Sequence, residues 1–189
     1  MKILGITGGI GCGKSYVAHK LELRGIPVYD TDSQARRLMV QDPAIIEGIS
    51  ALVPGAYQNG ELDRQKVASY LFAHQDNAKR IDSIVHPAVR LDFRRWAQQQ
   101  ATDFCAVESA ILFESGFNTE VDAVIVVDAP MEIRIKRCMK RDSTTEDKIV
   151  QRIRQQMDQS EKCSMADFVI MNDDVADIES QIDDIIGKL

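Results

Sequence analysis

The chain lacks the marks of a nucleic-acid binder, a secreted scaffold or a membrane protein. It has no basic excess: 23 Lys and Arg against 29 Asp and Glu give a formal net charge of −6 over 189 residues. A protein whose main business is nucleic acid usually carries a basic surface, so no nucleic-acid partner is expected. A local basic cleft for a small anion remains compatible with this charge. It has no paired cysteines: Cys12, Cys105, Cys138 and Cys163 are widely spread, without a C-x-x-C. That spacing offers no zinc site and argues against a disulfide framework. Cys105 lies in an apolar, strand-like run, where a buried thiol is expected. No apolar stretch is long enough to span a bilayer, so no membrane partner is expected. A strand-like run begins at Lys2, so no signal peptide is expected, and a reducing cytoplasm is the natural compartment. No repeat or low-complexity segment interrupts the chain. The remainder is ordinary for a globular protein, with 44% hydrophobic and 28% charged residues. The length suits one compact unit with small excursions.

What the sequence does have is Gly8-Gly9-Ile10-Gly11-Cys12-Gly13-Lys14-Ser15. This is G-x-x-x-x-G-K-S, the phosphate-binding loop. Its glycines let several backbone N–H groups face the phosphates of a nucleotide, Lys14 reaches the β- and γ-phosphates, and the Ser15 hydroxyl ligates Mg²⁺. The flanks fit. Lys2–Thr7 reads as a buried parallel strand, and Ser15–Arg24 has helical spacing that ends at Gly25. The following helix aims its positive end at the same anion.

Strand-like runs at Lys2–Thr7, Pro27–Asp30, Asp103–Ser109, Asp122–Asp128 and Asp167–Met171 alternate with helical patterns. They imply an α/β fold: a doubly wound, five-stranded parallel sheet of the P-loop NTPase type with helices on both faces. Two segments exceed that minimum. From 32 to 100 the pattern predicts short helices at Ser33–Val40, Pro43–Val53, Arg64–Phe72, Asn77–Val85 and Pro87–Gln100. Asp42, Asp63 and Asp76 are the expected N-caps. From 133 to 158 a basic helix, Arg134–Arg141, precedes a second helix capped by Thr144-Thr145-Glu146-Asp147. A basic, helical flap over phosphates reads as a lid. The expected division is a nucleotide-binding core of 1–31, 101–132 and 159–189, a helical substrate-binding domain of 32–100, and a lid of 133–158.

Phosphoryl transfer needs a cradle, Mg²⁺, cations for the moving group and a residue that orients the acceptor hydroxyl. Asp30 and Asp32 end the second strand, on the side of an open sheet where ligands bind. Asp32 is the candidate for receiving the hydroxyl proton, and Asp30 for reaching Mg²⁺ through water. Either could instead cap the next helix. Glu108, ending the third strand, is a candidate for Mg²⁺ through water, or else a solvated strand-end residue. Arg137 and Arg141 share a helical face suited to phosphate, or else a solvated one. His86, beside Pro87, reads as a packing or substrate-contact residue.

Taken together, these residues resemble the dephospho-CoA kinase family, over nearly the whole chain. Ile6–Ser15 is similar to the family's T-G-G-I-G-S-G-K-S, and Asp30-Thr31-Asp32 to its D-A-D, with Ala35-Arg36 following. Leu62-Asp63-Arg64, Leu71-Phe72 and His86-Pro87 resemble its central pattern, and Ile111-Leu112-Phe113-Glu114 its P-L-L-F-E. Arg137 through Arg141-Asp142 resemble its lid. Gln156, Ala166-Asp167-Phe168-Val169-Ile170 and Asn172 resemble its closing block. The resemblance implies ATP-dependent phosphorylation of the ribose 3′-hydroxyl of dephospho-CoA, giving coenzyme A and ADP. It implies a helical CoA-binding domain at 32–100 with Asp32, Arg36, Arg64 and His86 on the substrate. Lys14, Asp32, Arg137 and Arg141 are then the catalytic set. ATP falls to Gly9, Gly11, Cys12, Gly13, Lys14, Ser15, Tyr16, Arg137 and Asn172, the last beside the adenine. A monomer is expected. Cys12 and Tyr16 stand where Ser and Thr are common, Thr31 and Ala110 replace Ala and Pro, and Glu108 replaces Asp.

Three rival readings remain at this point. Another small-molecule kinase would share the loop and lid but differ in 32–100. A GTP switch would need an N-K-x-D motif, which the chain lacks. A non-catalytic ATP scaffold would not need Lys14, Asp32 and Arg137 together.

Overall fold

The computed structural model describes residues 1–189. In chain order it forms β1 (Lys2–Thr7), α1 (Lys14–Glu22), β2 (Val28–Asp30), α2 (Thr31–Gln41), α3 (Pro43–Leu52), β3 (Tyr57–Gln58), β4 (Glu61–Leu62), α4 (Arg64–Ala73), α5 (Asp76–Gln98), β5 (Phe104–Glu108), β6 (Ala123–Asp128), α6 (Met131–Asp142), α7 (Glu146–Arg154), α8 (Gln159–Ser164), β7 (Phe168–Met171) and α9 (Ile178–Ile186). These elements make two compact units, Met1–Asp30 with Gln100–Leu189, and Thr31–Gln99.

The first unit holds a five-stranded sheet in the order β2-β5-β1-β6-β7. Every pairing is parallel. This is the doubly wound sheet expected from the alternation of strands and helices. The central strands are apolar throughout because both faces are covered. Successive side chains point to opposite faces. Leu4, Ile6, Ala106, Ile125 and Val127 join one cluster with Val17 and Leu21 of α1 and Ile182 and Ile185 of α9. On the other face Gly5 leaves room that Leu112 and Val121 fill; a Cβ there would stand 2.9 Å from Leu112. β1 ends at Thr7, and the phosphate loop crosses from its carboxyl end to α1.

The second unit is mostly helical. Asp42 and Asp63 cap α3 and α4 through their carboxylates, each accepting two backbone N–H groups. Three expectations need correction. Asp76 is not a cap: α5 starts on it, and the cap position is Gln75, which makes no side-chain bond. The two helices expected at Asn77–Val85 and Pro87–Gln100 are one, α5, running straight through Pro87. The apolar spine Ile81, Val85, Val89, Phe93 and Ala97 keeps its four-residue spacing across the proline and is buried along its length. Pro87 is exposed. It therefore sacrifices one ladder bond on the solvent side, while the buried face holds the helix together. Finally, β3 and β4 form a hairpin where only helices were expected. Its turn is Asn59-Gly60, both with positive φ (53° and 82°), the residue pair and geometry of a two-residue hairpin turn.

α2 begins at Thr31, two residues before the expected Ser33. Asp32 thus lies inside the first turn, where the helix dipole favours a carboxylate. In the first unit, α7 starts after Thr145, but the Thr145 side chain makes no capping bond. Glu146 and Asp147 supply the acidic first turn instead.

Candidate active site

α1 opens on Gly13, which is left-handed (φ 94°) and gives the helix no side-chain cap. The first amides of a helix have no partner within it. Tyr16 and Val17 donate back to the Gly13 carbonyl at 3.0 and 3.2 Å. The amides before them sit at the positive end of the helix, which favours an anion. Gly8 and Gly11 also have positive φ, 145° and 81°. The outer side of the loop is tightly covered. A Cβ on Gly9 would overlap the Arg134 guanidinium, one on Gly11 would stand 2.5 Å from the Arg134 carbonyl, and one on Gly13 would overlap the Asn172 amide. The glycines are thus required on the packed side as well as the ligand side.

Four side chains hold the loop from that outer side. Gln159 Oε1 accepts the Gly9 N–H at 2.8 Å, and Gln156 Oε1 accepts the Ile10 N–H at 2.9 Å. Arg134, only 5% exposed, donates through Nε to the Ile10 carbonyl at 3.0 Å. Asn172 Nδ2 donates to the Cys12 carbonyl at 2.8 Å. The Gly9 and Ile10 amides of the loop are thus engaged by protein.

Ser15 Oγ donates to Glu108 Oε1 at 2.9 Å. Asp30 stands beside Glu108 in the register of β2 and β5. The two candidate Mg²⁺ contacts, Ser15 and Glu108, therefore meet, with Asp30 next to them on the neighbouring strand. These are hard oxygen donors. No cluster of three or more His, Cys, Asp or Glu forms a metal cage. The set fits Mg²⁺, which is typically held by one or two protein oxygens together with substrate phosphates and water.

α6 brings Arg137 and Arg141 to the loop. With Gly11, Gly13, Lys14 and Ser15 they line one hollow. Arg137 donates to the Cys12 carbonyl (3.4 Å), Asn172 Oδ1 (3.1 Å) and Asp174 Oδ1 (2.5 Å). Arg141 is held differently. Nε and Nη2 grip the Asp142 carboxylate at 2.6 and 3.0 Å, which Arg152 of α7 also contacts at 2.8 Å. Hydrogen bonds from Arg141 first, and then Arg152, keep the Asp142 carboxyl far below the usual carboxylate range. Both residues of the expected pair thus reach the hollow, but Arg137 is braced against the loop and Arg141 against its neighbour.

Beside this hollow lies a second, of about 440 Å³, bounded by Gly13, Tyr16, Arg137, Asn172, Asp174 and Ile178. Tyr16 is half exposed, and Lys20 Nζ stands 5.3 Å from its ring centre. Asn172, expected beside the base, lines this second hollow, and its amide bridges the loop carbonyl and Arg137. Cys12 is fully buried, and burial pushes its thiol above the ordinary value. A low-pKa, accessible thiolate is what a redox-sensitive cysteine needs, and Cys12 has neither property.

The remaining expected residues belong to the other unit. Asp32, Arg36 and Arg64 are exposed on the first turns or outer faces of α2 and α4. Arg36 donates to Ser33 Oγ at 3.4 Å. His86, one-third exposed, faces Asp82 at 3.6 Å one turn back on α5. Sequence reasoning gave no role to Arg134, Gln159, Lys162 or Asp174. Arg134 lies one turn before Arg137, so helical spacing pointed to it. Nothing in the pattern marked Lys162 as buried.

The sequence pattern of the dephospho-CoA kinase family matches residues 2–177. A dephospho-CoA kinase of Bacteroides fragilis is 43% identical over 188 residues, covering 98% of this chain and 92% of that protein. One from Brucella abortus is 35% identical and covers 100% of this chain and 96% of its own length. A solved dephospho-CoA kinase from Campylobacter jejuni superposes with a TM-score of 0.70 at 25% identity, covering 98% of this chain and 96% of its own. With its phosphate loop, flanking arginines and parallel sheet, the chain belongs to the dephospho-CoA kinase family and catalyses the ATP-dependent phosphorylation of dephospho-CoA to coenzyme A.

Proposed function

We propose that the residues share the reaction as follows. Lys14 and the amides at the start of α1 hold the β- and γ-phosphates of ATP. Arg137, with Arg141 behind it, neutralises the charge on the moving phosphoryl group. Tyr16 and the hollow beside it take the nucleoside end. Asp32 orients the ribose 3′-hydroxyl of dephospho-CoA and receives its proton. Arg36, Arg64 and His86 of the helical unit contact the CoA side, and α6 with α7 acts as the lid.

The observation that carries this reading is the convergence of Lys14, Ser15, Arg137 and Arg141 on one hollow at an uncapped helix start. Phosphoryl transfer is mostly positioning and charge stabilisation. Donors fixed in advance stabilise a transition state without reorganising as it forms. Arg137, tied to a loop carbonyl, Asn172 and Asp174, is such a donor. Mg²⁺ held by Ser15, with Glu108 and Asp30 behind it through water, would neutralise phosphate charge. Asp32 lies two residues beyond Asp30 along the chain, in the first turn of α2.

The cytoplasm is the proposed compartment and the monomer the proposed state. All four cysteines are free thiols, and no helix is long and apolar enough to cross a membrane.

The test is ADP release with ATP, Mg²⁺ and dephospho-CoA, with adenosine, AMP and shikimate as alternative acceptors. Turnover with dephospho-CoA alone, giving coenzyme A, is expected. Turnover with another acceptor would discard the assignment of the helical unit. ATP binding without turnover would favour a scaffold.

A further inference from the structure

Lys162 is a fully buried lysine (0% exposed) that phosphoryl transfer, as set out above, does not use. A buried ammonium is costly unless paired and hydrogen-bonded. Lys162 has both kinds of partner. Its Nζ donates to the Ala110 carbonyl at 2.6 Å and lies 2.9 Å from Glu114 Oε1. The same Glu114 oxygen accepts the Met157 N–H at 3.1 Å. One ammonium thus ties together the turn after β5 and the point where the chain re-enters the core after α7.

Ala110 is two residues past Glu108, the carboxylate that receives the Ser15 hydroxyl. Lys162 therefore fixes the turn that follows Glu108. Gln159 lies three residues earlier on α8, on the same face. It accepts from Gly9 at 2.8 Å and donates to the Val127 carbonyl at 3.0 Å. One short helix thus grips the phosphate loop, the end of β6, the β5 turn and, through Glu114, the end of the α6–α7 segment. Stability alone does not call for a charge here, because an apolar residue of similar volume is often as stabilising as a buried ion pair.

We propose that Lys162 is a positioning residue for phosphoryl transfer, acting through Ala110 and Glu114 to set Glu108 and the exit of the lid against the phosphate loop. The proposal rests on the reading of Ser15 and Glu108 as part of the phosphate and metal site.

The test compares Lys162→Met, Glu114→Gln, the double variant and Ser15→Ala in the full chain. For each, kcat, KM for dephospho-CoA, Kd for a non-hydrolysable ATP analogue and Tm are measured. Small displacements of reacting groups cost as much as a hundredfold, so Lys162→Met should lower kcat by about tenfold to a hundredfold. The Kd for the analogue should hold, because Gln159 still grips Gly9. The double variant should be no slower than Lys162→Met, since both changes break the same link. An unchanged kcat per folded molecule with a lowered Tm would reduce Lys162 to a stabilising clamp and overturn the proposal. A Kd that rises in proportion to the loss in kcat would overturn it too. If Lys162→Met does not fold, Glu114→Gln decides in the same way. If Ser15→Ala is fully active, the site reading itself fails. If Ser15→Ala is inactive while Lys162→Met is not, only the present proposal fails.

Discussion

Ser15, at the start of α1, and Glu108, at the end of β5, meet through a 2.9 Å hydrogen bond in which the hydroxyl donates. The residues lie 93 positions apart, yet both reach the carboxyl end of the sheet, because β1 and β5 are neighbours in register. The bond leaves the hydroxyl lone pairs available to a cation while the carboxylate supports it from behind. Partners behind a metal ligand are typically worth about 10- to 100-fold in metal affinity or activity. Glu108→Gln should therefore raise the Mg²⁺ concentration needed for half-maximal rate by about that range, and Ser15→Ala by more. Initial rates across a Mg²⁺ titration measure this. Superimposable curves for wild type and Glu108→Gln would remove Glu108 from the metal site.

Arg137 is predicted to act on the chemical step. It is braced by the Cys12 carbonyl, Asn172 and Asp174, so its position does not wait for the nucleotide. Removing an arginine that stabilises the transferring group typically costs about 10³-fold or more. Arg137→Ala should slow single-turnover transfer on that scale while leaving the protein folded, because the side chain is partly exposed. Arg137→Lys should restore little, since an ammonium cannot hold three acceptors in a planar fork. An unchanged single-turnover rate would make Arg137 a surface charge.

Asp32→Asn separates proton transfer from binding. The substitution keeps shape and hydrogen-bonding reach but removes the base. A positioned general base is worth about 10²- to 10⁴-fold, so kcat should fall in that range with ATP affinity nearly intact. Losing rate and affinity in equal measure would end the proton-accepting role.

The parts of this molecule legible in the sequence are those with local causes. Gly8–Ser15 declares a phosphate loop by its own residue pattern, the apolar runs of β1 and β6 declare strands buried on both faces, and Asp42 and Asp63 cap the helices they precede. Where the sequence misled, a longer-range cause outweighed a local signal. Pro87 argued for a break, but the spine from Ile81 to Ala97 is buried continuously and holds α5 as one helix. The Asn59-Gly60 turn is a short hairpin signal set among helical patterns. Around the site, Lys14, Ser15 and Arg137 stand out as residue types that bind phosphate or its metal, and Asn172 through the family resemblance alone. Lys162 and Gln159 do not, because their importance lies in what they touch. A lysine buried against Ala110 and Glu114 looks, in sequence, like any solvated lysine.

The buried thiols predict how stability responds to alkali. Burial raises Cys12, Cys105 and Cys163 above the ordinary thiol value of 9.0. Burial also raises Tyr57 above 10.0. Each group therefore stays protonated in the folded chain at a pH where the unfolded chain has already ionised it. Between the two values the unfolded state holds fewer protons, so stability falls as pH rises. The contribution is complete below pH 9.0 for the thiols and is lost as pH climbs through their folded values. Melting curves should be flat across neutral pH and drop on the alkaline side, and Cys12→Ala should make the drop shallower. The burial of Cys12, Cys105 and Cys138 predicts that a thiol reagent reacts slowly with these three in the native protein and finds all four thiols, including the partly exposed Cys163, only after denaturation. Rapid labelling of native Cys12 at neutral pH, or a melting temperature that rises with alkali, would contradict a phosphate loop built around a buried, protonated thiol.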